Sequence, residues 1–278
     1  MASPSTPSDP SGNPAGASLG ARIRTVFDRP FRTLLTREVL RFLRVWTQTI
    51  VPSFLTSILY LVVFGVALGT RIQEIEGIPY LEFILPGIAM MTLITGSYMN
   101  SSSSVFDAKR ERYIDEILIA PMSNFQITLA YTLGATLRGV IVGAGVFLIG
   151  VPFAGASISH PFLLLFAGIC VSFTFSALGV LMGVVATRID HISFLTNIVL
   201  QPLVFLGGVF YSVNMLPDFL RIVTLFNPIF YMVDAARFSS LQYSDINPYP
   251  TFAAVLFVAA SAFGLAWYTV AHSRHLRY

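Results

Sequence analysis

Apolar residues run almost without interruption over six stretches, near residues 48–68, 81–103, 127–152, 161–186, 192–213 and 251–271. Each reaches the ~20 residues that an α-helix, rising about 1.5 Å per residue, needs to cross about 30 Å of hydrocarbon. Lipid offers no partner to open backbone groups, and runs this long and continuous do not suit barrel strands. The pattern therefore predicts an all-α membrane protein with six transmembrane helices. Upstream of the first run, Phe27, Phe31, Leu34, Leu35, Val39, Phe42, Leu43 and Trp46 recur at helical spacing with arginines on the other faces, and Asp28 and Pro30 suit a helix start. A basic amphipathic helix of this kind is expected along the membrane surface, either as a passive anchor or as a docking element.

Between the fifth and sixth runs, the segment NMLPDFLRIVTLFNPIFYMVDAARFSSLQYSDINPYP is apolar enough to enter the membrane. It carries Asp218, Arg221, Asp234 and Arg237, however, and is broken at Pro217 and Pro228. A full span would place those charges in lipid at about 2.5–3.5 kcal/mol each. The segment reads as two short helices that dip into the outer half of the bilayer and return, with their turn buried in protein; an external loop with interfacial helices is the alternative.

Composition agrees with the pattern: 55% of the 278 residues are hydrophobic and 11% are charged, less than half the roughly 25% of soluble domains. Most of the 17 basic residues fall on one side of the predicted membrane: the arginines from Arg22 to Arg44, then Lys109, Arg110 and Arg112, then Arg188, Arg274 and Arg277. Arg71, Arg221 and Arg237 fall on the other. The positive-inside rule then places both termini in the cytoplasm, which an even number of spans satisfies. Basic residues beside membrane segments give no support to nucleic-acid binding. Residues 1–20, rich in Ser, Pro and Gly, read as a disordered tail and not as a signal peptide. Cys170 is the single cysteine, so no intrachain disulfide forms. There is no internal repeat, which weighs against a secondary-transporter fold.

The charge run DAKRERYIDE, residues 107–116, stands between spans two and three, with seven charged side chains of mixed sign in ten positions. Mixed sign suits a polar contact surface better than attraction to anionic lipid. If residues 107–119 are helical, Arg112, Asp115, Glu116 and Ile119 are neighbours, Ile114, Ile117 and Leu118 form an apolar edge, and Pro121 ends the element. A solvated loop with internal ion pairs is the alternative. A phosphate-cradling loop of the G-x-x-x-x-G-K-[ST] kind is absent, since the only lysine, Lys109, is flanked by Ala108 and Arg110. Any drive from ATP must come from another chain.

Within the spans, Arg138 either sits near mid-bilayer, lining a cavity or paired to another helix, or snorkels to the surface. Gly139 and Gly143, like Gly179 and Gly183, have the small-xxx-small spacing of close helix packing, here expected within the chain. Asn197, Gln201 and Phe205 form one helical stripe in span five; Met90, Ile94, Ser97 and Ser101 form another in span two. Each stripe is either helix packing or part of a cavity wall. His160, His191, His272 and His275 share no ligand pattern, and no nucleophile, acid/base pair or metal site stands out.

The stretch KRERYIDEILIAPMS resembles the cytoplasmic loop of ABC type-2 exporter permeases. A second likeness covers residues 200–237, where Leu200, Leu203, Leu206, Gly207, Val209, Leu216, Pro217, Pro228, Ile229, Tyr231 and Arg237 follow that family's ordered pattern. The resemblance extends over residues 21–278, the transmembrane domain, and is nearest to the six-span branch holding the nodulation-factor exporter permease and the YadH-like proteins.

The resemblance implies a multi-pass subunit of the bacterial cytoplasmic (inner) membrane. It would pair with a second permease subunit, as a homodimer, and with two ATP-binding subunits that hold ATP and Mg; no cofactor is expected in this chain. The amphipathic helix would be the connecting helix and the 107–119 element the coupling helix, with Arg110, Glu111, Arg112, Asp115 and Glu116 touching the ATPase. The path would run between the span-two and span-five stripes of opposing subunits. Pro217, Pro228, Tyr231 and Arg237 would belong to the outer re-entrant hairpin. The expected function is ATP-driven export of a hydrophobic or amphiphilic compound, drug-like or a lipid or lipid-linked saccharide. An autonomous channel or secondary carrier is the alternative, as is a membrane protein that joins an ATPase without translocating anything.

Overall fold

The computed structural model describes residues 29–69 and 71–273. The expected N-terminal tail lies outside them, as do Phe27, Asp28, Arg274, His275 and Arg277. The amphipathic helix forms as α1 (Arg29–Arg44), with Phe31, Leu34, Glu38 and Phe42 buried at intervals of three or four residues. The first span follows at once: a single turn, α2 (Trp46–Thr49), then α3 (Val51–Val62) running into a π-helical stretch, Val63–Leu68. Pro52 lies in the first turn of α3, where its missing N–H removes no helical bond.

A short hairpin that the apolar pattern gives no sign of precedes span two. β1 (Glu74–Ile75) pairs antiparallel with β2 (Ile78–Pro79) across Glu76 and Gly77. Both turn residues have positive φ, 51° and 78°, the conformation of tight two-residue hairpins, which Gly77 adopts without a Cβ clash.

Span two is α4 (Tyr80–Arg110), 31 residues long and so about 46 Å, well beyond the hydrocarbon thickness. It was expected to end near residue 103, and it continues because Ser101, Ser102 and Ser103 return their hydroxyls to carbonyls three or four residues back. Hydroxyls satisfied inside the helix do not break it. The charge run is thus not one helix: residues 107–110 form the last turn of α4, Arg112 turns the chain with φ 61°, and a separate short helix follows, α5 (Ile114–Ile119). Ser123 and Gln126 then make a reciprocal capping box that starts span three, α6 (Asn124–Ala154). Span four is α7 (Pro161–Val185).

The fifth expected span is shorter than its apolar run. Helical structure covers Ile189–Phe205 only, as α8 (Ile189–Phe194), a π-helical stretch (Leu195–Leu200) and α9 (Gln201–Phe205). Pro202 withdraws an N–H just after the π-helical turn, and Gly208, at φ 76°, takes the chain out of the helix. Val209, just beyond it, is buried without being helical, and its carbonyl lies so close to Gly87 of α4 that a Cβ there would be 2.7 Å away. α10 (Asp218–Phe226) and α11 (Pro228–Leu241) are bent from each other by 88°. Asn227 at the bend is buried, accepts from the Ile229 N–H and donates to the Leu203 carbonyl at 2.6 Å. The two short helices expected from the sequence are thus present, set at about a right angle to each other. α12 (Pro248–His272) completes the chain.

Five of these helices are long and apolar enough to cross a membrane, or six if the bent pair counts as one span. α4 is the centre of the bundle and packs on α6 and α7; α12 covers α7 and α11, and α1 lies on α6. Burial reaches 72% over the apolar window of α4 but 17% over that of the first span, so the first span presents most of its surface outward.

All four small-residue positions lie at packing contacts inside the chain. Gly139 faces Ser97 and Ser172, Gly143 faces Leu93, Gly179 faces Ser101 and the Tyr98 carbonyl, and Gly183 faces Val105. Gly139→Val is expected to push α6 away from α4 and α7 and to cost about 1–3 kcal/mol, read as a lowered unfolding midpoint in mixed micelles. Gly264→Ala, whose Cβ would meet open space, is expected to leave that midpoint unchanged or to raise it.

Candidate functional site

The end of the bundle carrying α1, α5 and Arg188 is termed proximal, and the end carrying the hairpins distal. At the proximal end, α1 is fastened to the bundle by Glu38, the one acid among the arginines of this helix. Its carboxylate is 1% exposed, accepts from Ser104 Oγ at 2.6 Å and pairs with Arg41 at 3.4 Å. Arg41 in turn donates to the carbonyl and the side-chain oxygen of Asn100 at 2.9 and 3.0 Å. Gly134 lets this happen, since a Cβ on it would stand 2.7 Å from that of Glu38. Sequence reasoning passed over Glu38; the signal was a lone acid at a position in phase with Phe31, Leu34 and Phe42.

Lys109 also has a structural task. Its ammonium donates to the carbonyls of Gly183, Val184 and Ala186 at 3.3, 2.5 and 2.9 Å, and so satisfies the open end of α7. Tyr113, between α4 and α5, lies 3.9 Å under the Arg37 guanidinium. Burial raises its hydroxyl above the usual tyrosine range, with Arg37 acting in the opposite sense, so the ring stays neutral at working pH.

Ile114 and Ile117 bury one face of α5 against Phe31 and Leu34 of α1 and Ile127 and Tyr131 of α6. The other face is open: Arg110, Glu111, Arg112 and Glu116 are exposed, Asp115 is half-exposed, and Ile119 is 84% exposed. Arg110 approaches Asp107 and Glu111 at only 3.4 and 3.5 Å with all three partly in solvent, pairings worth little. The five expected coupling residues therefore flank the left-handed turn at Arg112, four of them exposed and Asp115 half-exposed, and do not lie on a single helix.

The two stripes are placed differently from one another. Ile94, Ser97 and Ser101 are buried within the chain, with Ser97 Oγ 2.7 Å from Ser172 Oγ of α7. The span-two stripe therefore faces α7 and not an open cavity; Met90 alone also touches an apolar hollow of ≈ 170 Å³ between α4, α6 and α7. Asn197 and Phe205 are exposed, Gln201 is half-exposed, and neither amide makes a hydrogen bond among the described residues. Arg138 points into the bundle, 7% exposed, and donates to the Gly96 carbonyl of α4 at 3.0 Å and the Thr49 carbonyl at the end of α2 at 3.1 Å. It joins three elements by carbonyl bonds and is not turned toward the surface.

At the distal end, Arg237 is fully buried. It donates to the Gly208 carbonyl at 2.6 Å, pairs with Asp245 at 3.4 Å and lies 3.9 Å above the Phe83 ring of α4. Asp245 also accepts from Ser212 and from the Tyr243 hydroxyl at 2.8 Å. Burial pushes the Tyr243 pKa up to about 12, so it remains a donor. Asp234 accepts from Ser244 and from the Asp245 N–H, and Tyr231 donates to the Leu225 carbonyl across the bend. Pro228 begins α11 and Pro217 precedes α10.

Comparison with known proteins adds to this geometry. Residues 29–241, from α1 to the last residue of α11, match the family described as ABC-2 type transporter. The chain belongs to that family. Among its ABC-2 relatives, the inner membrane transport permease YadH of Escherichia coli (strain K12) is 36% identical over 246 residues, covering 88% of this chain and 96% of the relative. Nodulation protein J of Rhizobium meliloti (strain 1021) is 25% identical, covering 72% and 77%. The putative transport permease ycf38 of Cyanophora paradoxa is 29% identical, covering 68% and 67%. The ABC-2 match thus takes in the exposed charge run and, of the buried distal cluster, Ser212, Asp234 and Arg237, while Tyr243, Ser244 and Asp245 lie just beyond it.

Lys109→Met would leave two carbonyls of α7, and that of Ala186 just after it, without their donor. It is expected to cost about 1–3 kcal/mol, seen as a lower unfolding midpoint, while Lys109→Arg retains part of the bonding and loses less.

Proposed function

We propose that this chain is the membrane-spanning permease subunit of an ATP-driven exporter in a bacterial inner membrane. Two permease subunits, as a homodimer, would work with two separate ATP-binding subunits, which hold ATP and Mg; the chain itself carries no catalytic step. The observation that carries the reading is the proximal surface. Its charges are exposed and weakly paired, while Ile114, Ile117 and Lys109 fix the backbone beneath them. Rigid backbone with free charge suits a contact that must transmit force. The names of the relatives, an inner membrane transport permease among them, support the membrane and the role.

In this scheme ATP-driven closure of the partner pair pushes on α5 and on Arg110, Glu111, Arg112, Asp115 and Glu116. The substrate is hydrophobic or amphiphilic and moves along the outward stripe of Asn197, Gln201 and Phe205, whose unpaired amides face a second subunit or the path between subunits. Met90, Ile94, Ser97 and Ser101 contribute by holding α4 to α7, so that the two helices shift as one wall. Arg138 holds the start of the first span to that wall.

Co-purification in mild detergent with the ATP-binding protein encoded beside this chain tests the proposal. A stoichiometric complex is expected for the wild type and its loss for Glu111→Lys/Arg112→Glu, with the variant still inserted and monodisperse. Failure of any ATPase to associate, in several detergents and in nanodiscs, would overturn the reading in favour of an autonomous carrier.

A further inference from the structure

Between α1 and the 107–113 segment lies an open cleft of ≈ 840 Å³ whose walls include Arg32, Arg37, Arg41 and Arg44. Pairing within the chain leaves most of that charge unmatched. Glu38 is taken by Arg41 and Ser104, and the two acids on the opposite wall, Asp107 and Glu111, both face Arg110. Arg32, Arg37 and Arg44 have no carboxylate partner among the described residues. Arg37 is nevertheless held in place by its stack on Tyr113, which leaves the edge of its guanidinium free to donate.

The apolar helix of the first span begins at Trp46, two residues beyond Arg44, so one end of the cleft adjoins the start of that span. Exposed apolar side chains lie at that end: Leu40, Val45 and Trp46, at 45%, 39% and 54%. Free guanidiniums, the exposed Thr36 and an apolar exit match one kind of ligand, with a charged phosphate at one end and hydrocarbon at the other.

We propose that this cleft binds the phosphate headgroup of an anionic membrane phospholipid, with Arg37 and Arg44 on the phosphate and the acyl chains leaving past Leu40 and Val45. The inference concerns a resident lipid and stands whatever compound is carried.

The test is native mass spectrometry of the full chain in micelles, titrated with dioctanoyl phosphatidylglycerol, dioctanoyl phosphatidylcholine or, as competitor, inorganic phosphate. Saturable binding of the phosphatidylglycerol is expected, at least tenfold tighter than that of the phosphatidylcholine. Arg37→Gln/Arg44→Gln should weaken it at least tenfold. Thr36→Glu, which puts a carboxylate in the cleft without touching an arginine, should do the same, and Arg188→Gln/Arg221→Gln, removing equal charge elsewhere, should not. Circular dichroism and gel filtration check that each variant is folded. Binding unaltered in both cleft variants, or equally weakened in the control, would overturn the site. Inorganic phosphate competing as well as the lipid would overturn the lipid as occupant, and displacement of bound lipid by an added ATP-binding partner would assign the cleft to protein instead.

Discussion

Apolar burial gains little between helices surrounded by lipid, because the acyl chains are as apolar as the side chains they replace. Association then depends on how closely two backbones can approach and on what they bond when they do. In this chain that constraint falls on α4. Gly139, Gly143, Gly179 and Gly183 bring α6 and α7 onto it so closely that a single added carbon would overlap a neighbour in each case. At this spacing, side-chain hydroxyls reach across: Ser97 to Ser172, and Ser57 to Thr92 at 2.6 Å. Such bonds average only about 0.6 kcal/mol each. Their value lies in setting a register, since a hydroxyl pair is satisfied at one helix position and not at the next.

The remaining fastenings are ionic or charge-assisted and sit near the ends of the bundle. Proximally, Glu38 and Arg41 fix α1 to α4, and Lys109 fixes α4 to the end of α7. Distally, Arg237 gathers the loop after span five, the hairpin and the loop before α12 around Phe83 of α4. Removing one partner from such a buried set costs far more than the set contributes to net stability. These groups therefore act chiefly to specify which helix ends belong together. α4 is the one element that both sets share.

Hydropathy made the spans legible, and it failed where the same letters take a different backbone. Ser101–Ser103 looked like an end to span two, yet those hydroxyls bond within the helix. Val209 and its neighbours looked like more of span five, yet Pro202 and Gly208 had already turned the chain. Arginine placement foretold which segments share an end of the bundle, and Pro217 and Pro228 foretold the hairpin. Partners far away in sequence left no trace: nothing around Lys109 points to carbonyls 74–77 residues on, and nothing around Arg138 points to Thr49. The exposure of Arg110, Glu111 and Arg112 could be anticipated from charge density alone, whereas the left-handed turn at Arg112 could not, since that residue type gives no such signal.

That turn matters for how a push at the proximal end would travel under the proposed function. An arginine with φ 61° is held there by its surroundings, because isolated residues of this type avoid the region. The surroundings are α4 on one side, ending at Arg110, and on the other α5, seated by Ile114 and Ile117. A load on α5 therefore meets a backbone step with little freedom to yield and passes into α4, which Lys109 binds to α7. The helix then runs without a break from Arg110 back to Phe83, directly under the arginine that holds the end of span five. The two ends of the molecule are thus joined by one continuous helix with a cation at each end, half-buried Lys109 proximally and fully buried Arg237 distally, and under the proposed function a shift of α4 along its axis would be felt at the Gly208 carbonyl through Phe83 and Arg237.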